Sequence, residues 1–196
     1  GRAWALMGSS MAAIRELEKF VESREGRLEW KAFRALGDLF IEGFPQQAKH
    51  YYRKALALKA DEPSLLYGLS RAEFQTGNQK EALDLAQRAV RRDTNQHVAY
   101  IAHLARMYMA RQQWSDADRT ALNALEAAKE KVEDSPGHLG PLVVLQDQFD
   151  LLISLMRTRS QLPGASPEDS SRWAQYIVDR ADIAVRLAKH DALSIL

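Results

Sequence analysis

Five histidines, His50, His97, His103, His138 and His190, are the first residues to weigh for catalysis or metal binding. None falls in a His-Glu-x-x-His or comparable ligand spacing. His97 and His103 are six residues apart, which on one helix sets them on different faces, so a structural role fits better than a ligand role. Two carboxylate pairs, Asp116/Asp118 and Asp147/Asp150, have the composition of an acid–base or cation site. The first pair sits where a helix begins, and carboxylates there complement the helix dipole. The second lies on the polar side of an amphipathic segment and is solvated. Gly137-His-Leu-Gly140 is too short for a phosphate-binding loop and follows no strand. Ser, His and Asp are all present, but no spacing aligns them as a triad. The chain has no Cys, which excludes disulfides, thiolate metal sites and cysteine nucleophiles. No catalytic residue, no metal ligand and no cofactor is expected, and the chain reads as a non-enzyme.

Composition narrows the class further. Ala, Leu, Arg, Glu, Lys and Gln recur, whereas Val, Ile and Thr are sparse, a bias that favours helix because these side chains lose little rotamer freedom there. The 27 basic and 26 acidic residues are interspersed and leave a net charge of +1, so the basic face of a nucleic-acid binder is not expected. No apolar run reaches the roughly 20 residues that a membrane-spanning helix needs. The sequence leaves the compartment open between cytoplasm and periplasm.

Superposing the chain on itself reveals a period. Gly8, Gly43 and Gly77 are 35 and then 34 residues apart, and Gln112 continues the series after another 35. Five residues after each stand Ala13, Ala48, Ala82 and Ala117, and seven further on come Phe20, Ala55, Ala89 and Ala124. Val21, Leu56, Val90 and Leu125 follow at once. Such columns arise when pairs of short amphipathic helices stack on neighbours to bury stripes that neither could bury alone. The recurring Ala marks close helix crossings. The Gly or Gln ends the first helix of each pair in a left-handed cap, and Ser9, Asn78 and Ser115 stand ready to cap the second. Pro63 fits the first turn of a helix.

Residues Leu36-Gly37-x-x-Phe40, Gly43, Ala48, Tyr52, Ala55 and Leu56, read in order, resemble the tetratricopeptide signature. Leu66, Leu69, Ser70, Gly77, Ala82, Ala86 and Ala89 give a second unit, and Leu104, Ala105, Tyr108, Trp114, Ala117, Ala121 and Ala124 a third. Trp4, Gly8, Ala13, Leu17 and Phe20 match a partial unit in front, so the resemblance covers about residues 1–130. Departures are specific. The first full unit lacks one residue before Gly43, which predicts a shorter turn between its helices, and Glu73 stands where the second unit's aromatic is expected.

The resemblance implies an all-α fold, a right-handed superhelical solenoid of antiparallel helix pairs. Its expected divisions are a partial repeat at 1–29, repeats at 30–62, 63–97 and 98–131, and a divergent helix pair at 138–196. In that last segment Leu142, Leu145, Phe149, Leu152 and Met156 follow one helical face, and Trp173, Ile177, Ala181, Ala184 and Leu187 mark a final helix. The register also predicts that Arg2–Met7 is only the latter half of a first helix. Trp4 and the 183–196 helix would then pack on repeats outside the given sequence.

Tetratricopeptide arrays present a concave groove to a peptide or helix of a partner, so the implied function is a protein-interaction scaffold or adaptor. By matching repeat positions the groove set is Arg34, Asp38 and Ile41; Tyr67, Arg71, Phe74 and Gln75; Arg106 and Met109. Tyr52, Trp114 and Trp4 fall in columns that pack between helices, whereas a salt bridge from Arg71 to Asp38 or Glu42 would be purely structural. In chaperone-binding members, Lys and Asn residues on first helices clamp a terminal carboxylate. The matching positions here hold Arg34, Asp38, Arg71, Ala102 and Arg106, without those Asn residues, so binding of a chaperone tail is not expected. The alternatives are a spacer or assembly segment in a larger machine, such as a bacterial envelope or secretion complex, and the regulatory part of an enzyme whose catalytic domain lies elsewhere. The expected partner is a protein or peptide, with no nucleic acid and no membrane insertion, and self-association through solenoid ends is a further route.

Overall fold

A computed structural model describes residues 2–134 except 24 and 96, together with Ser171 and Gln175. The expected helix pair at 138–196 and the packing of Trp4 therefore lie outside the described residues and side chains. Seven α-helices and one 3-10 turn make up the described part, with no strand among the described residues. The chain divides into two compact units, Gly1–Thr94 and Asn95–Leu196.

The first unit holds α1 (Arg2–Glu22), a 3-10 turn at Gly26–Leu28, α2 (Trp30–Phe40), α3 (Pro45–Leu58), α4 (Pro63–Gln75) and α5 (Gln79–Arg92). Helix α1 packs on α2, α2 on α3, α3 on α4 and α4 on α5, so each pair leans on the next. Proline stands in the first turn of both α3 and α4, where its missing N–H costs nothing because that position has no intrahelical acceptor. The second unit's described helices are α6 (Val98–Ala110) and α7 (Trp114–Asp134), packed on each other.

The small-residue columns occupy the tight crossings. Ala48, Ala82 and Ala117 are completely buried, as are Ala55 and Ala124. At the α4–α5 crossing the Ser70 hydroxyl donates to the carbonyl of Ala82 at 2.6 Å, which brings the two backbones within reach of one short side chain. The large residue of the first unit's core is Tyr52, also wholly buried. Its ring lies against Gly37 on α2 and Gly68 on α4. A Cβ at Gly37 would stand 2.7 Å from the ring, and one at Gly68 2.5 Å. Both glycines are therefore demanded by the tyrosine.

Glu73 takes the expected aromatic position and is fully buried. A buried carboxylate is tolerable only when its charge and lone pairs are met. Lys49 Nζ lies 2.6 Å from Oε2 and Arg53 Nη2 2.6 Å from Oε1, both from α3. The Asn78 amide donates to Oε2 at 2.6 Å. Asn78 does occupy the N-cap of α5, but its side chain serves Glu73 and makes no capping bond. Lys49 also donates to Thr76 Oγ1 at 3.3 Å. The network ties α3, α4 and the following turn together.

Among the described residues, three positions use left-handed backbone. Gly77 (φ 88°) and Gln112 (φ 58°) end α4 and α6, in the repeat column anticipated for that cap. Gly43 in the same column is not left-handed, a further correction, because α2 already ends at Phe40. Asp61 (φ 57°) turns the chain from α3 into α4, a conformation Asp tolerates better than most residues. Its carboxylate is gripped by Arg88 at 2.8 Å and Arg92 at 3.0 Å, which clips the turn to α5. The Arg88 hydrogen bond holds Asp61 below the usual carboxylate range.

Three expectations need correction. Helix α1 runs unbroken through Gly8 and Ser9, so there is no half-helix ending at Met7 and no second helix for Ser9 to cap. Glycine inside a helix costs only about 1 kcal/mol, which the surrounding Ala, Leu and Met offset. With no turn there, Ala13 and Phe20 are exposed, unlike the same columns downstream, while Ile14 and Val21 face the core. The residue missing before Gly43 shortens α2 to 11 residues against 13 in α4 and α6, while the turn at 41–44 is not shortened. Ser115 lies inside the first turn of α7 and is not its cap.

Two stability outcomes follow from this packing. Gly68→Ala should cost about 1–3 kcal/mol through overpacking against Tyr52, read by urea unfolding; a parent-like midpoint would contradict the wedge. Glu73→Leu should cost about 3–5 kcal/mol by stranding Lys49, and adding Lys49→Met should recover most of that loss. A double variant no more stable than Glu73→Leu would show that the buried charges are not coupled.

Candidate functional site

On α4, Tyr67, Arg71, Phe74 and Gln75 fall at i, i+4, i+7 and i+8, one stripe of the helix. On α2, Arg34 and Asp38 form an i, i+4 pair. The structure brings these two stripes to the same region of the first unit. Arg34 Nε is 3.4 Å from Asp38 Oδ2, and its Nη1 is 3.4 Å from Ser64 Oγ at the start of α4. Arg71 Nη2 reaches across to Glu42 Oε1 at 2.7 Å, and its guanidinium lies 5.7 Å from the centre of the Tyr67 ring.

Tyr52 joins this surface to the core. Its hydroxyl donates to Asp38 Oδ1 at 2.7 Å, while its ring fills the Gly37–Gly68 gap beneath. Burial, then the Asp38 hydrogen bond, push the Tyr52 phenol far above its ordinary value, and Arg71 and Arg34 pull it partly back. Both guanidinium groups thus act on one buried hydroxyl.

The predicted residues do not all reach this surface. Arg34 and Asp38 are exposed, Tyr67 and Arg71 half-buried, Phe74 and Gln75 exposed. Ile41 is a correction: at 2% exposure it belongs to the hydrophobic core and cannot line an open groove. The early end of α2 leaves Ile41 continuing the helical backbone one step, with its side chain inward. Arg106, exposed, and Met109, half-buried, stand on α6 in the second unit. The Arg71 salt bridge goes to Glu42, and Asp38 is instead shared by Arg34 and Tyr52. Ser64 joins the surface without any sequence signal, because only the α2–α4 packing brings it to Arg34.

Among the described residues, His50, His97 and His103 form no ligand set. His103 is buried, His97 lies against Tyr100 with ring centres 4.9 Å apart, and His50 meets the Tyr51 edge. Among the described residues no cluster of three or more His, Cys, Asp or Glu could hold a metal. Asp116 pairs with Arg119 at 2.6 Å within the first turn of α7. No helix among the described residues is long and apolar enough to cross a membrane.

The two tyrosines set an alkaline limit. Tyr51 is raised from 10.0 to about 12 by burial and by its hydrogen bond to Glu18. Phenols that hold their protons more tightly when folded contribute stability that is complete below the unfolded value and is lost as pH rises through the folded one. Unfolding free energy should therefore decline from near pH 10.0 towards about 12, and less steeply in Tyr51→Phe. An identical decline in that variant would contradict the assignment to Tyr51.

The tetratricopeptide repeat family model matches residues 39–104, which takes in α3, α4 and α5. No curated protein matches the chain significantly. Among solved structures, the nearly identical tetratricopeptide-like repeats of a putative kinesin light chain from Podospora anserina align with a TM-score of 0.65 at 19% identity, covering 94% of this chain and 92% of that one. YrrB, described as a tetratricopeptide protein with an unusual peptide-binding site, aligns with a TM-score of 0.59 at 16% identity over 96% and 88%. The MamA protein aligns with a TM-score of 0.53 at 17% identity over 100% and 92%. With the helix pairs, the buried small-residue columns and the left-handed caps, these matches identify residues 39–104 as tetratricopeptide repeat sequence and the fold as an all-α, tetratricopeptide-like solenoid.

Proposed function

We propose that the chain is a non-catalytic interaction scaffold, and that the α2–α4 surface receives an acidic, partly apolar peptide segment of a partner protein. The observation that carries this reading is the pairing of two convergent arginines with exposed apolar side chains. Arg71 is held by Glu42, whose side chain is 76% exposed, and Arg34 by Asp38, which is 52% exposed. Such exposed pairs are worth about 0–1 kcal/mol, so a partner carboxylate can replace the internal one at little cost. Arginine favours that exchange because its planar fork binds carboxylates through two parallel bonds. Phe74, 37% exposed, and the Tyr67 ring then offer apolar anchorage beside the charge. Gln75 supplies a further hydrogen-bonding edge, and Arg106 with Met109 is the equivalent pairing in the second unit.

Glu42 has a particular place in this reading, as an internal stand-in for the ligand carboxylate. Titration calorimetry with a synthetic peptide of alternating aspartate and leucine provides the test. Arg71→Ala and Phe74→Ala should each weaken binding by about tenfold, equivalent to about 1.4 kcal/mol. Glu42→Gln should tighten it. Parent-like affinity in both alanine variants, with unchanged thermal melts, would overturn the assignment.

A further inference from the structure

The first unit carries a second feature, which the peptide surface does not use. A cleft of about 700 Å³ opens between α1 and α3. Val21 and Phe33, both nearly buried, form its apolar floor, and Leu58, 40% exposed, sits at its lip. The α1 wall is acidic, with Glu18 and Glu22, whereas Arg27 and Lys54 bring positive charge from the turn and from α3.

Three of these charges are unspent. Arg27 donates its Nε to the backbone carbonyl of Glu22 at 3.1 Å and meets no carboxylate among the described residues. Lys54 lies over the rings of Phe33 and Tyr51, 5.6 and 6.0 Å from their centres, again without a carboxylate. Glu22 forms no ion pair among the described residues, and Glu18 accepts only from the Tyr51 hydroxyl, at 3.0 Å. The ion pairs that tie the helices of this unit together lie elsewhere: Glu73 with Lys49 and Arg53, Asp61 with Arg88 and Arg92, Glu42 with Arg71. The cleft therefore combines apolar area with charges of both signs that meet no opposite charge among the described residues.

The arrangement of signs selects the occupant. A patch of one sign would call for a partner of the other. A cleft with acid on one wall and base on the other is complementary to a copy of itself turned by a two-fold axis, because in such a contact residue i meets j and j meets i. We propose that two copies of this chain pair through the α1–α3 cleft, with Glu18 and Glu22 of each against Arg27 and Lys54 of the other, and Leu58 covered between them. The contact uses none of Arg34, Arg71 or Phe74, so it stands or falls independently of the peptide surface.

Sedimentation equilibrium of the full chain, from micromolar to millimolar concentration, tests the pairing. The parent should show a monomer–dimer equilibrium that weakens with added salt. Glu22→Lys and Lys54→Glu should each place like charges together at two symmetric points, and weaken self-association by about tenfold or more. An equimolar mixture of the two variants should associate as a heterodimer at least as tightly as the parent, since every contact then joins opposite charges. Both residues are exposed, and thermal melts should match the parent. Arg71→Ala should leave the equilibrium unchanged. A parent that remains monomeric at millimolar concentration, single variants that associate as the parent does, or a mixture that fails to associate would each overturn the proposal.

Discussion

The first unit is organised by a trade of volume at Tyr52. Its ring occupies space that Gly37 and Gly68 vacate, and so sets how closely α2, α3 and α4 approach. Downstream, the corresponding positions of the second helices hold Ala86 and Ala121, both buried, and the facing first-helix positions hold Ser70 and Ala105. Tyr52 thus fills space left by a glycine on its own repeat's first helix and by another on the first helix of the next repeat. Interiors packed to crystalline density permit such exchanges only when they are matched, since neither a void nor an overlap relaxes cheaply. Because the Tyr52 hydroxyl also holds Asp38, the same residue that spaces the helices fixes the polar end of the α2–α4 surface.

The Glu73 network plays a comparable role one layer further along. A carboxylate replaces an aromatic ring, and α3 answers with Lys49 and Arg53. Such a pair contributes less to net stability than a well-packed ring would, but it punishes any arrangement that separates its partners. It therefore specifies how α3 meets α4. On the same helix, Arg71 and Phe74 flank Glu73 in sequence and point outward, so the buried anchor beneath positions the exposed residues above. The α2–α4 surface is thus tied to the core through charges on its buried side.

Much of this was legible in the sequence, and the reasons for the remainder are physical. The columns of Ala48, Ala82 and Ala117 are visible because tight crossings admit few residue types, and repetition multiplies the signal. Gly77 and Gln112 mark real left-handed caps, whereas Gly8 matched the same column but lies within a helix. A glycine permits a turn without requiring one. Ile41 satisfied a groove position by count, but the shortened α2 turns it inward. The clip from Arg88 and Arg92 to Asp61 and the contact of Arg34 with Ser64 join residues about 30 apart, and no local spacing announces them. Glu73 was visible as an anomaly; its partners on α3 became apparent only once the helices were packed.

The account rests on the claim that Tyr52 and its two facing glycines form one packing unit, from which the α2–α4 surface takes its shape. A double-mutant cycle of Tyr52→Ala with Gly68→Ala, followed by chemical unfolding, measures that claim directly. The account predicts strong coupling of about 1–3 kcal/mol, with the added methyl group costing stability beside the ring and costing little or gaining stability once the ring is removed. Additive effects, with the methyl group costing the same in both backgrounds, would contradict it.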